Sequence, residues 1–174
     1  MKARYLFAAV VAWSLAADVP AASPVLKIPD FSELRGKAVD SVDITFDGML
    51  LSIAKHFAKK SEDKDLEFLS DIKSIRVRNF SFDSEGAYSM ADVDSVRRQL
   101  SAPGWSQLVS AHKRNDNENV DVYICAEDDK ILGLAVVASE PREFTIVNIV
   151  GSIDIDKLAK LEGEFGIPKV DVEK

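Results

Sequence analysis

The chain has 174 residues, 47% apolar and 29% charged, a mix that suits one ordinary globular domain. Its single cysteine, Cys125, excludes an intramolecular disulfide. The formal charge of −7, with no stretch dense in Lys and Arg to offset it, disfavours nucleic acid as a partner, because phosphate backbones are repelled.

The first residues read as an address. Met1-Lys2-Ala3-Arg4-Tyr5 is basic, Leu6 to Ala12 is apolar, and small residues run on to Ser23-Pro24. This three-part layout predicts a signal peptide over residues 1–22, cleaved between 16 and 23. Its removal leaves a charge of −8. The apolar stretch is shorter than the roughly 20 residues that span a bilayer, so no transmembrane anchor is expected after processing. An uncleaved N-terminal anchor is the alternative. No cysteine lies nearby to carry a lipid. The expected localisation is periplasmic or secreted.

Residues 24–170 are expected to form a single domain and 171–174 a C-terminal tail. Residues 24–41 predict an extended lead-in with a short helix. Val42 to Phe46 alternates apolar and polar, as a half-buried strand does. Leu50, Ile53, Ala54 and Phe57 then place one apolar stripe on a helix. After the charged break 59–65, Leu66, Leu69 and Ile72 predict a further short helix. Ser74 to Phe82 is a strand whose apolar parity changes midway, which predicts a bulge or burial on both faces.

Ser89-Met90-Ala91-Asp92 has the pattern of a helix start, and Pro103-Gly104 ends that helix. The remainder predicts a meander. Its strands are Trp105 to His112, Val120 to Cys125, the nearly all-apolar Ile131 to Ala138, and Phe144 to Val150. Glu127-Asp128-Asp129-Lys130 is a tight hairpin turn between the second and third of these. Ile155, Leu158 and Leu161 predict a closing helix. The order predicts an α+β fold: one largely antiparallel (mixed) sheet of about six strands, with helices packed mainly on one face.

No pattern signals catalysis. His56 and His112 are isolated from other metal-type ligands, so no metal site is predicted. Cys125 lies beside an acidic turn that raises a thiol pKa rather than lowering it. Asn115 to Asn119 lacks the glycine and the distal glutamate of a calcium loop. No phosphate-binding or nucleophile motif is present, and neither a cofactor nor a catalytic residue is predicted.

Six residues are candidates for binding. Asn148 is an amide among apolar neighbours and must find hydrogen-bond partners, either in a nearby loop backbone or in a ligand. Arg76 and Arg78 share one strand face, and Glu140, Arg142 and Glu143 occupy a loop that makes an ion-pair cluster if it folds over them. Trp105 comes after a Pro-Gly break and is either core or a binding platform.

The run from Glu140 to Asp154, Glu-Pro-Arg-Glu-Phe-Thr-Ile-Val-Asn-Ile-Val-Gly-Ser-Ile-Asp, resembles the hallmark of an exported bacterial family, domain of unknown function 4252. Ile75 to Arg78, Phe80, Phe82-Asp83, Tyr88-Ser89 and Pro103-Gly104-Trp105 fall in the order expected of it, and the resemblance covers about residues 27–170. It implies no catalytic residue and no cofactor. It also implies an accessory to extracytoplasmic sensing or stress signalling.

The leading expectation is therefore a non-catalytic exported binding or interaction module of the bacterial envelope, with an envelope protein or a second copy as partner. Two alternatives stand beside it: a carrier of a small apolar or amphipathic ligand between sheet and helices, and an unrecognised hydrolase.

Overall fold

The computed structural model describes residues 22–60, 70–113 and 115–153. Helix α1 (Ser32–Lys37) precedes strand β1 (Asp40–Asp47), helix α2 (Gly48–Lys60) and strand β2 (Ile72–Ser81). Helix α3 (Met90–Arg97) continues into a 3-10 turn, Arg98–Ser101. Strands β3 (Trp105–Lys113), β4 (Glu118–Glu127), β5 (Lys130–Glu140) and β6 (Glu143–Gly151) complete the sheet. All pairings are antiparallel, in the order β1-β2-β6-β5-β4-β3. The fold is α+β, as its pattern predicts.

Strand β6, the last in sequence among the described residues, sits between β2 and β5. Buried on both faces, it has no polar alternation to show: Phe144 to Val150 are all buried. The same reason makes the middle of β5 apolar. Asp128 and Asp129 close the β4–β5 hairpin at φ 46° and 62°. Asp tolerates this left-handed region, and turns of that hand match the strand twist.

The two sheet faces carry separate apolar layers. On one, Phe80, Ala135, Val137, Phe144 and Ile146 meet Leu26, Leu34, Val93, Val96 and Leu100 from the lead-in, α1, α3 and the 3-10 turn. Phe31 sets its ring edge onto Phe80 and Phe144 at 5.8 and 5.7 Å. Helix α3 holds its start through Asp92, whose carboxylate accepts from the Ser89 N–H at 2.8 Å and its hydroxyl at 2.7 Å. On the other face, Leu51 of α2 packs with Val77, Leu134, Val136, Val147 and Ile149.

Burial on both faces accounts for the parity change in β2. Ile75 and Val77 face α2, while Phe80 shares the opposite face with Arg76 and Arg78. The register shift falls at Ile72–Ser74 instead of mid-strand. Two expectations are corrected. Ile72 is not helical; it opens β2 opposite Gly151 and is buried. The α2 stripe is also displaced, since Leu51 points inward while Leu50 and Ile53 are 52% and 47% exposed. Met49, Leu50, Leu51, Ile53 and Ala54 crowd one turn and a half with apolar side chains, so periodicity leaves the phase open. Gly48, at φ 43°, turns the chain directly from β1 into the helix and sets that phase. Residues 1–21, the positions Leu66 and Leu69, and the expected closing helix lie outside the described residues.

Candidate functional site

Three of the six predicted binding residues converge on one segment, the extended lead-in over residues 22–31. Asn148 is fully buried. Its Oδ1 accepts from the Leu26 N–H at 3.0 Å, and its Nδ2 donates to the carbonyls of Pro24 and Leu134 at 3.0 and 3.2 Å. Arg76, directly opposite Asn148 in the register, donates to the Leu26 carbonyl at 3.4 Å. The Trp105 indole N–H reaches the Ser23 carbonyl at 3.0 Å.

Sequence reasoning missed Gln99. Its amide accepts from the Lys27 N–H and donates to the Lys27 carbonyl, both at 2.9 Å, so it replaces one rung of a β-ladder. A glutamine in a helix tail carries no signal for that role.

The other three predicted residues lie elsewhere. Arg78 pairs with Asp43 of β1, which also holds Arg35 at 3.1 Å. The expected cluster of Arg76 and Arg78 with Glu140 and Glu143 does not form. Glu140 to Glu143 make the β5–β6 hairpin turn, and β6 pairing places Glu143 beside Ser81, past the arginines. The Tyr88 hydroxyl donates to the Glu140 carbonyl, with the Glu143 carbonyl at 3.1 Å. Burial first, then the Glu140 carboxylate, pushes the Tyr88 pKa up to about 12. Burial, followed by Glu143 and Glu118, also raises the Glu140 pKa. The main chain of Arg142 accepts from the Phe82 N–H at 2.9 Å.

A polar row crosses the β3–β4 edge. Ser110 Oγ lies 2.8 Å from His112 Nε2, whose Nδ1 lies 2.5 Å from Asn119 Oδ1. The spacing resembles a serine–histidine–amide relay. Ser110 Oγ also lies 2.8 Å from Asp121 Oδ1, however, and a carboxylate holds a hydroxyl proton more strongly than a neutral imidazole. Asp121 is itself buried and held by Arg97 at 2.5 Å and Gln107 at 2.9 Å. The Ser110–Asp121 and His112–Asn119 contacts join residues that the antiparallel register sets opposite one another. The row is a cross-strand hydrogen-bond ladder, with no activated nucleophile. Burial, and then Glu127, raises the Cys125 pKa, which keeps that thiol protonated. Among the described residues no three of His, Cys, Asp and Glu gather to hold a metal ion, and no helix is long and apolar enough to cross a membrane.

The opposite face holds a cavity of about 400 Å³ between α2 and strands β1, β2 and β6. Val42, Ile44, Phe46, Leu51, Ala54, Ile75 and Val77 supply its apolar walls. Its polar end is Asn79, Glu143 and Thr145. There the Asn79 amide donates to Glu143 Oε1 at 2.5 Å and to Thr145 Oγ1 at 2.8 Å. Glu143 thus stands at the polar end of an otherwise apolar slot, its Oε1 accepting from the Asn79 amide. Alternation along β1 and β2 foretells the walls, but the slot itself depends on the phase of α2.

A family model described as a domain of unknown function (DUF4252) matches residues 34–161, and the chain belongs to that family. No curated protein and no solved structure matches it.

Proposed function

We propose that this member of the family is an exported binding module that carries a small amphipathic molecule in the slot between α2 and the sheet. The observation that carries the reading is the division of that slot into seven apolar wall residues and one polar end. Its volume lies within the roughly 300–1,000 Å³ of small-molecule sites. Val42 and Phe46, both in the slot wall, stand 37% and 39% exposed on β1. An apolar ligand body gains from burial there at roughly 25 cal/mol per Å². Glu143 selects a head group that donates hydrogen bonds, such as an amine or an alcohol. Export rests on the basic–apolar–small order of residues 1–22.

Native mass spectrometry of protein purified without denaturation tests the reading. The expected result is a retained mass of a few hundred daltons, absent from Ala54→Phe, whose ring fills the slot from the α2 side. A bare chain in every wild-type preparation sinks it.

A further inference from the structure

Resting on the carrier reading of the slot, we infer that its ligand is an organic cation with one apolar tail, a long-chain amine held as its ammonium ion beside Glu143.

Charge at the polar end decides the class. Glu143 is the one charged side chain among the described residues that line the slot. Its hydrogen-bond donors, the Asn79 amide and the Thr145 hydroxyl, are both neutral and leave its charge uncancelled. In the β2–β6 register Asn79 faces Thr145 and, one step further on the same sheet face, Ser81 faces Glu143. Ser81 and Glu143 also line a second, open hollow of about 670 Å³ at that end of the sheet. Glu143 therefore belongs to both spaces, an apolar one and an acidic one.

The hollow carries Glu85, Asp116, Glu118 and Glu140 besides Glu143, against Arg142 among its described lining residues. Lys113 pairs with Glu118 at 3.1 Å, which leaves four carboxylates facing one guanidinium. Burial, then Glu143 and Glu118, raises the Glu140 pKa, with Lys113 opposing. Those neighbours repel the charged form of Glu140, a repulsion that a cation among them relieves.

These charges rank three head groups. An ammonium ion donates three hydrogen bonds and carries a positive charge. An alcohol donates one and feels no net attraction. A carboxylate or phosphate meets like charge, and the chain's formal −7 adds to the repulsion. The tail lies between Leu51 and Ala54 of α2 and Ile44, Ile75 and Val77 of the sheet. At roughly 30 Å³ per small group, the liquid share of one water, a slot of about 400 Å³ takes about a dozen non-hydrogen atoms. Decylamine is of that size.

Decylamine, decanol and decanoate are titrated calorimetrically into the full chain at neutral pH. Decylamine should bind roughly tenfold tighter than decanol, because hydrogen bonds between charged groups are the stronger ones, and decanoate should bind more weakly than either. Glu143→Gln keeps an oxygen for the Asn79 amide but removes the charge. It should bring decylamine down to the affinity of decanol and leave decanol unchanged. Wild type alone supplies a second reading. Salt raised from roughly 0.01 M to 1 M shortens the Debye length from about 30 Å to 3 Å, which should weaken decylamine several-fold and spare decanol. Decylamine no tighter than decanol, or decanoate as tight as either, overturns the ammonium ligand and leaves the carrier reading standing. Failure of all three to bind refutes the carrier reading and the amine with it. A Glu143→Gln chain that loses decanol as well makes Glu143 a prop of the slot and overturns its part in recognition. A dimer in size exclusion that decylamine dissociates gives the slot to a second copy and overturns the amine.

Discussion

Asn148 is the residue whose replacement separates the lead-in from the rest of the fold. Asn148→Ala leaves the Leu26 N–H without an acceptor and the Pro24 carbonyl without a donor, both beneath a segment whose next anchor is buried Leu26. A buried polar group stranded in this way costs about 1–3 kcal/mol. The protein escapes the full penalty by letting the segment lift off, which exposes Leu26 at about 1.5–3 kcal/mol. The cheaper route sets the loss, so destabilisation of about 1.5–3 kcal/mol is expected, lowering Tm by roughly 3–12 °C at this chain length. Hydrogen exchange locates the damage. The Leu26 and Lys27 amides should exchange about 10- to 150-fold faster, the same energy at 1.36 kcal/mol per decade, while amides of β5 track global stability alone. Asn148→Asp keeps the acceptor but aims a carboxylate at two carbonyls. It should be poorly stable at neutral pH and recover on acidification, when the protonated acid can donate to one of them. The reasoning fails if Asn148→Ala stays within about 0.5 kcal/mol of wild type and its Leu26 amide remains protected.

Two further outcomes concern the β5–β6 turn. Tyr88→Phe removes the hydroxyl that holds the Glu140 and Glu143 carbonyls and should cost about 1–2 kcal/mol, measured by chemical denaturation. Because the folded state keeps this phenol neutral, its contribution is present below the ordinary value of 10 and is lost as pH climbs through about 12. The late step of phenolate absorbance should vanish in the variant, and an unchanged titration would refute the assignment. Glu140→Gln should raise Tm at neutral pH. The raised Glu140 pKa favours the protonated acid in the folded state, so wild type holds that stability below about 4.5 and loses it as pH rises through the folded value. The two proteins should converge in acid, and a Tm difference that does not change with pH would contradict this.

Local patterns announce most of the fold. Alternation marks β1 and β4, the all-apolar runs mark the central β5 and β6, and Ser89 with Asp92 marks the start of α3. Each is a preference of a few neighbouring residues, written where it acts. Asn148 among Ile146, Val147 and Ile149 announces a buried amide in need of partners, and it has three hydrogen bonds.

The identity of those partners is another matter. Leu26 lies 122 positions from Asn148, and Lys27 lies 72 from Gln99. No local spacing encodes a contact of that range; it arises because β6 inserts beside β2 and brings Arg76 opposite Asn148. The same insertion carries Glu143 past Arg76 and Arg78, so the ion-pair cluster that the sequence suggests is replaced by Arg78 with Asp43. Helix α2 makes the complementary case, since its apolar residues are too many to define a face. The sequence by itself determines which segments are strands and helices and which polar groups must be satisfied. Tertiary structure alone decides what satisfies them and where the slot opens, because strand order and helix phase are set by burial summed over the whole sheet.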